Sequence, residues 1–308
     1  MFFIFRVSTF LLFVISSFAQ PTFAQSPLVT HLEAIRQGSH AAVPQAVLAD
    51  TTNAASLLSV LATYQNDTLA AVRSRAYNIA KRIGQRSSKP SVRQTATAQL
   101  TRGIADPDAG ISGNNSEALT GFRQTDFGAS TQTQLLSYLQ PGTPHLDQVA
   151  MLAGFVSGSE AQAALRNLLT AKVSATTRWA IRLALARTGD EAAINYVLDK
   201  LNAAPVNDAL VYDVVPGLVY TRQPAIFRYL ETLVMSDEPN CQSADPNSQR
   251  RILCGYRVME ALAPALADFP IAVDAYGELE TDDYERSLRE VRAWLRERED
   301  YPMQRDRY

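Results

Sequence analysis

Histidine, cysteine and tryptophan are scarce in this chain of 308 residues, which holds three His, two Cys and two Trp. Few histidines mean few general bases and few imidazole ligands. His31, His40 and His145 are scattered, and no His-Glu-x-x-His, Cys-x-x-Cys or carboxylate-plus-His box appears. A strained nucleophile turn is lacking as well. Gly154-Phe-Val-Ser157-Gly158 has the wrong spacing for Gly-x-Ser-x-Gly and reads as a helix end followed by the next cap. Neither standard form of Gly-rich phosphate loop is present. Metal, serine-hydrolase and nucleotide chemistry find no foothold, so the expectation is a chain with no metal, no cofactor and no catalytic role. Charge of one sign is lacking too: the net charge is −2, residues 277–308 carry seven Arg against ten Asp or Glu, and residues 25–276 are neutral. Without a basic stripe, nucleic acid is not an expected partner.

One apolar run is present near the N-terminus, Val7 to Phe18, but it is only 12 residues long and contains Ser16 and Ser17. A membrane span needs roughly 20 apolar residues. The run follows Arg6 and precedes Thr22-Phe23-Ala24, which sets small residues at −3 and −1 before Gln25. That is the layout of a secretory signal peptide. Residues 1–24 are expected to be removed, leaving an exported protein, periplasmic or extracellular, with no membrane span. In an oxidising compartment two cysteines 13 residues apart, Cys241 and Cys254, favour a disulfide. The other reading leaves one buried thiol on a helix and one idle thiol in a loop.

What the sequence has in quantity is helical periodicity. Ala54–Leu61 and Ala161–Leu169 place apolar residues three and four apart, on one face of a helix. Alternating runs of strand type are almost absent. Breakers punctuate the chain at Gly84, Pro90, Pro107, Gly142, Pro144, Gly158, Gly189, Pro205, Pro224 and Pro239, leaving helices of 10 to 17 residues. The pattern also repeats. A pair of helices opens at Gly158 and runs through Ala171, then from Ser174 to Thr188. A second pair runs from Asp190 to Asn202 and from Val206 to Tyr220, and a third opens at Gln223, so the starts lie 32 and 33 residues apart. A single such unit cannot bury its own apolar face, whereas stacked neighbours share one core.

Within these units Asp67-Thr-Leu-Ala-Ala-Val-Arg73-Ser-Arg-Ala76 carries an Asp, then Val-Arg six residues on, then Ala. Asp106-Pro-Asp-Ala-Gly-Ile-Ser112 has the same frame with Ser in place of Arg, and Ser91-Val-Arg93 with Ala96 and Leu100 repeats it. Arg178-Trp-Ala-Ile-Arg182 leads into Gly189-Asp190-Glu-Ala-Ala-Ile194. This set resembles HEAT repeats, in particular the subset similar to phycobilin-lyase repeats, across residues 65–240. The resemblance implies an all-α fold, a right-handed α-α superhelix of about six to eight helix pairs. The solenoid is expected over residues 25–267, followed over 268–308 by an acidic linker, a charged capping helix from Tyr284 to about Arg298, and a tail. The spacing is uneven, Arg73 and Arg93 being only 20 apart, so some units are degenerate or the motif falls on both helices of a pair. Residues 104–131, rich in Gly, Asn, Ser, Asp and Thr, are expected to form a short helix and a long loop.

One stretch invites a metal reading. Asp106-x-Asp108-x-Gly110-Ile111-Ser112-x-Asn114-x-x-Glu117 places ligand-type residues at positions 1, 3, 7, 9 and 12 of a calcium loop. Ile111 stands where such a loop needs Gly, and Gly110 brings no oxygen, so the repeat reading explains the letters better. In HEAT-like arrays the second helices line the concave face. Arg73, Tyr77, Arg93, Trp179 and Arg182 lie on or beside them and are of the types that dominate interface energies. The bland reading makes the arginines bridges to the Asp of a neighbouring repeat and puts Trp179 in the core. Together these features lead to the expectation of a protein–protein scaffold at the cell envelope or outside it. The alternatives are a helical-repeat lyase or hydrolase with a site in the concave groove, and a structural envelope protein.

Overall fold

Apolar faces at helical spacing can be buried only against other helices, and the computed structural model shows how this chain does so. It describes residues 26–308 except 244, 246, 275, 276 and 299, so the expected leader at 1–24 lies outside the described residues. The described chain is mostly helical. In order it forms α1 (Pro27–Arg36), α2 (Gln45–Ala49), α3 (Ala54–Tyr64), α4 (Ala70–Arg86), α5 (Pro90–Gly103), α6 (Ala109–Thr120), α7 (Ala129–Ser137) and α8 (Leu146–Ser157). These are followed by α9 (Gln162–Thr170), α10 (Ala175–Arg187), α11 (Glu191–Asn202), α12 (Val215–Thr221), α13 (Pro224–Met235), α14 (Gly255–Leu262) and α15 (Tyr284–Arg296).

From α3 on, helices pack with near neighbours in sequence. One row runs α4, α6, α8, α10, α12, α14, each on the next; α3, α5 and α7 form a second row that resumes as α11, α13 and α15. The core lies between the rows, with Leu58, Ile79, Leu100, Leu119, Leu152, Ile181, Leu218 and Phe227 almost wholly enclosed along its length. Local chemistry sets the helix starts. Ser26, Asp108, Ser174, Asp190 and Asp283 each accept a backbone N–H of the first turn with their side-chain oxygens. Gly189, at φ +86°, takes the left-handed turn that lets α11 follow α10 directly. Close approach sets the spacing between helices. A Cβ on Gly154 of α8 would stand 2.8 Å from the carbonyl oxygen of Ala184 in α10.

Ion pairs join successive units. Arg73 grips Asp106 with Nε and Nη2, both at 2.8 Å, while its Nη1 donates to the carbonyls of Asp67 and Thr68. Arg93 does the same one helix later: Nε donates to Asp126 at 2.6 Å and Nη1 to the carbonyls of Ser87 and Ser88. In both cases the carboxylate lies 33 residues ahead and the carbonyls six and five behind. Arg36 also pairs with Asp67, 31 residues ahead, and Arg166 with Asp190, 24 ahead, without the carbonyl contacts behind. Arg73 sits on α4 and Arg93 on α5, so the motif falls on both rows, and this accounts for their 20-residue spacing.

Three stretches differ from what the sequence suggests. Residues 104–131 hold no long loop: α6 is a full helix, a 3-10 turn spans Gln124–Asp126, and α7 starts at Ala129. Their small and polar residues serve tight packing. Gly103 has the Asn115 side chain where a Cβ would go, and the ring of His145 comes within 2.9 Å of that position on Gly113. Ser112 and Asn115 donate to the carbonyls of Ile104 and Ile111. The expected helix from Val206 to Tyr220 is present over 208–221, but it widens into a π turn, Leu210–Val214, before α12. Pro216 has no N–H for the carbonyl of Tyr212, and the N–H of Val215 bonds to Leu210 in the wider i−5 register. Between α13 and α14 a short antiparallel hairpin pairs Cys241–Gln242 with Arg251–Ile252, closed by the Cys241–Cys254 disulfide.

After α15, whose Leu288, Val291 and Leu295 are buried against α13 and α14, residues 301–308 turn back along the molecule. The strand-like bridge of Leu266 with Met303 starts this return, and the amide of Gln124 donates to the Asp306 carbonyl at its far end.

Candidate functional site

α10 places Ala175, Arg178, Trp179 and Arg182 on one face, at helical spacings of three and four. α11 turns Tyr196 and Lys200, four apart, toward the same space. Leu201 and Ala204 close the floor, and Leu210 and Val214, the two ends of the π turn, complete the wall. The result is an open pocket of about 530 Å³, mostly apolar, between one helix pair and the start of the next.

Its electrostatics are one-sided. Three cations, Arg178, Arg182 and Lys200, line it, and no carboxylate does. Arg182 lies 4.5 Å above the centroid of Tyr196 and Lys200 lies 5.6 Å from it, so one exposed ring holds two cations on its π electrons. Arg178 donates to the carbonyl of Val173 at 3.2 Å and keeps other N–H groups free to donate. Trp179 packs its inner side against the core and forms part of the pocket wall. Such a surface can desolvate an apolar side chain while guanidinium donors meet an adjacent anion.

Trp179 and Arg182, both expected at a binding face, are thus brought together. Arg73, Arg93 and Tyr77 are not among them. Arg73 and Arg93 are committed to the ion-pair ladder, with side chains 11% and 22% exposed, and Tyr77 is buried beside Asp106, where burial raises its pKa. The calcium reading of 106–117 meets a similar use of its ligands. Asp106 holds Arg73 and the amide of Asp108, and Asp108 caps α6 through the amide of Ile111. Among the described residues no group of three or more His, Cys, Asp or Glu is placed to hold a metal ion, and no helix is long and apolar enough to cross a membrane. Sequence reasoning missed Tyr196 and Lys200. Their spacing of four marked a shared face, but nothing in the sequence said that this face meets α10.

No family model matches the chain, and no curated protein or solved structure shows significant similarity to it.

Proposed function

We propose that this protein is a non-enzymatic binding scaffold built as a HEAT-like, right-handed α-solenoid, and that it acts outside the cytoplasm at the cell envelope or beyond. The solenoid reading is supported by neighbour-to-neighbour packing in two rows and by Arg–Asp pairs recurring at 31 and 33 residues. The single observation that carries the functional reading is the α10–α11 pocket, with three cations, two aromatic rings and an apolar floor without a carboxylate. Charge complementarity fits it to a protein segment carrying an aliphatic or aromatic side chain next to Asp or Glu. The apolar group fills the space against Trp179 and Leu201, and the acid meets Arg182.

The test is a panel of short peptides that pair Leu or Phe with flanking Glu or with flanking Lys, measured by fluorescence anisotropy. The acidic set should bind and the basic set should not. Arg182→Glu should weaken the acidic set about tenfold, with an unchanged circular dichroism spectrum. Equal binding of both sets, or indifference to Arg182→Glu, refutes the assignment.

A further inference from the structure

The balance of charge over the whole chain hides a separation along it. Residues 68–105 hold eight Arg or Lys and no Asp or Glu, whereas residues 258–285 hold eight Asp or Glu and no Arg or Lys. The first block makes α4 and α5, and the second runs from α14 into the start of α15. Two cations of the first block, Arg73 and Arg93, are spent on the ladder of ion pairs. Three others, Arg75, Arg82 and Arg86, recur along α4 at spacings of seven and four. Those spacings are close to whole turns, so the three make one stripe about 16 Å long. The exposed Asn78 and Gln85 on the same helix are neutral, and Lys81 shares a cleft with Glu117 of α6 without an ion pair. Among the described residues none of the three arginines holds an ion pair or a side-chain hydrogen bond. The helix dipole accounts for Arg86, in the last turn of α4, but not for Arg75, which stands nearer the positive end.

The acid block presents its charge outward. Val273 bridges Leu279, and the amide of Glu280 donates to the carbonyl of Ala272 at 2.9 Å, so the chain doubles back on itself here. Leu279 is buried, while its neighbours Glu278 and Glu280 are exposed. Asp282 follows, its side chain 95% exposed and loosely paired with Arg286 at 3.6 Å. Among the described residues Glu278 and Glu280 hold no ion pair. Residues two apart in extended chain stand about 6.6 Å apart, and residues one turn apart on a helix, as Arg82 and Arg86 are, about 6 Å. The two rows match in step and are opposite in sign.

The two blocks do not neutralise each other within one molecule. α4 packs on α1, α2, α3, α5 and α6, while α15 packs on α13 and α14. A polyanion or an anionic membrane is a poor occupant for the stripe, because the chain as a whole carries a charge of −2 and opposes its approach. A second copy is nearly neutral in total and brings exposed acids at the right interval. We propose that the Arg82–Arg86 stripe on α4 docks Glu278 and Glu280 of a second copy, so that the protein associates with itself head to tail. The two faces differ, so a pair of copies leaves one face of each kind unused and further copies can add. This contact is separate from the α10–α11 pocket, and neither proposal depends on the other.

Sedimentation velocity on the purified protein tests this. At about 0.01 M salt the mean sedimentation coefficient should rise with protein concentration up to about 0.1 mM. At about 1 M salt it should stay at the single-copy value, because charges then act over only about 3 Å. Arg82→Glu with Arg86→Glu, and separately Glu278→Lys with Glu280→Lys, should each weaken self-association at least about tenfold. An equimolar mixture of these two variants should associate again, since each then meets a face of opposite sign. Arg182→Glu should leave self-association unchanged, which separates this contact from capture of the same acids by the α10–α11 pocket. The proposal is overturned by a protein that stays a single copy at low salt, or by a charge-reversed variant that associates as the parent does. A mixture that stays apart, or loss of association with Arg182→Glu, overturns it equally. If charge reversal costs the chain its helical circular dichroism, Arg82→Gln with Arg86→Gln takes its place and should weaken association at least about threefold, and no change overturns the proposal.

Discussion

Truncating Arg73 to alanine isolates the chemistry of the ladder. The Asp106 carboxylate is 3% exposed and accepts two charged hydrogen bonds of 2.8 Å from Arg73. Without the guanidinium it keeps the hydrogen bond from the amide of Asp108, at 2.9 Å, and a buried charge is left nearly alone. Breaking such a pair from one side costs about 3–5 kcal/mol, and the surviving amide bond together with the partial exposure of Arg73 puts the expectation near the lower end, about 3 kcal/mol. Asp106→Asn leaves the cation free to reach solvent past its carbonyl partners and should cost less, about 1.5 kcal/mol. The double variant should then recover about 1–2 kcal/mol relative to the sum of the singles. Urea unfolding followed by circular dichroism measures all four proteins. The pH dependence has a definite sign. Burial alone would raise Asp106, but the hydrogen bond from Arg73, the amide of Asp108 and the Arg73 charge outweigh it, so the carboxyl lies below its ordinary value. The stability it contributes is fully present above the ordinary carboxylate value near ~4 and is lost as pH falls through the lower folded value. Arg73→Ala should therefore lose its penalty in acid. Additive single effects, or a penalty that persists at about pH 2, would refute this account of the ladder.

Other expectations follow from single contacts. Gly154→Ala forces a methyl to within 3 Å of the Ala184 backbone and should cost about 2–3 kcal/mol as α8 and α10 separate, read as a lowered midpoint in urea. Replacing Cys241 and Cys254 with alanine opens a loop of 13 residues and should cost at most about 3 kcal/mol. Hydrogen exchange should then rise at the Gln242 amide, which now donates to Asp208. Trp179→Ala should weaken binding of acidic–apolar peptides about tenfold while shifting the unfolding midpoint little, since its outer face lines the pocket.

Much of the helical framework was legible because its determinants are local. Asp190 and Gly189 act within a few residues of themselves, so the junction of α10 and α11 could be read directly. The Val-Arg motif identified Arg73 and Arg93, and the bridging alternative weighed for them describes where their guanidinium groups lie. Composition misled at 104–131, because glycine, serine and asparagine favour both open loops and the closest helix contacts. Only the neighbouring α5 and His145 decide between these. The π turn before α12 has a local cause in Pro216, yet a proline admits several solutions and the sequence does not choose one. Half of the pocket was visible as Trp179 and Arg182. The other half depended on how the next helix leans, which no short-range pattern records. The return of residues 301–308 left almost no trace, since arginine–carbonyl bonds can form to any sequence.

That return changes how the molecule comes apart. Helices that touch only their near neighbours can fray from either end, each unit melting at the strength of its own contacts. Here the amide of Gln124 is tied to Asp306, 182 positions away, and Arg187 and Arg222 are tied to the same short stretch. Units that would otherwise melt one by one are roped into a single cooperative block from α6 to α15. During synthesis the rope is made after every helix of that block, so the block closes only once residues 301–308 have been made.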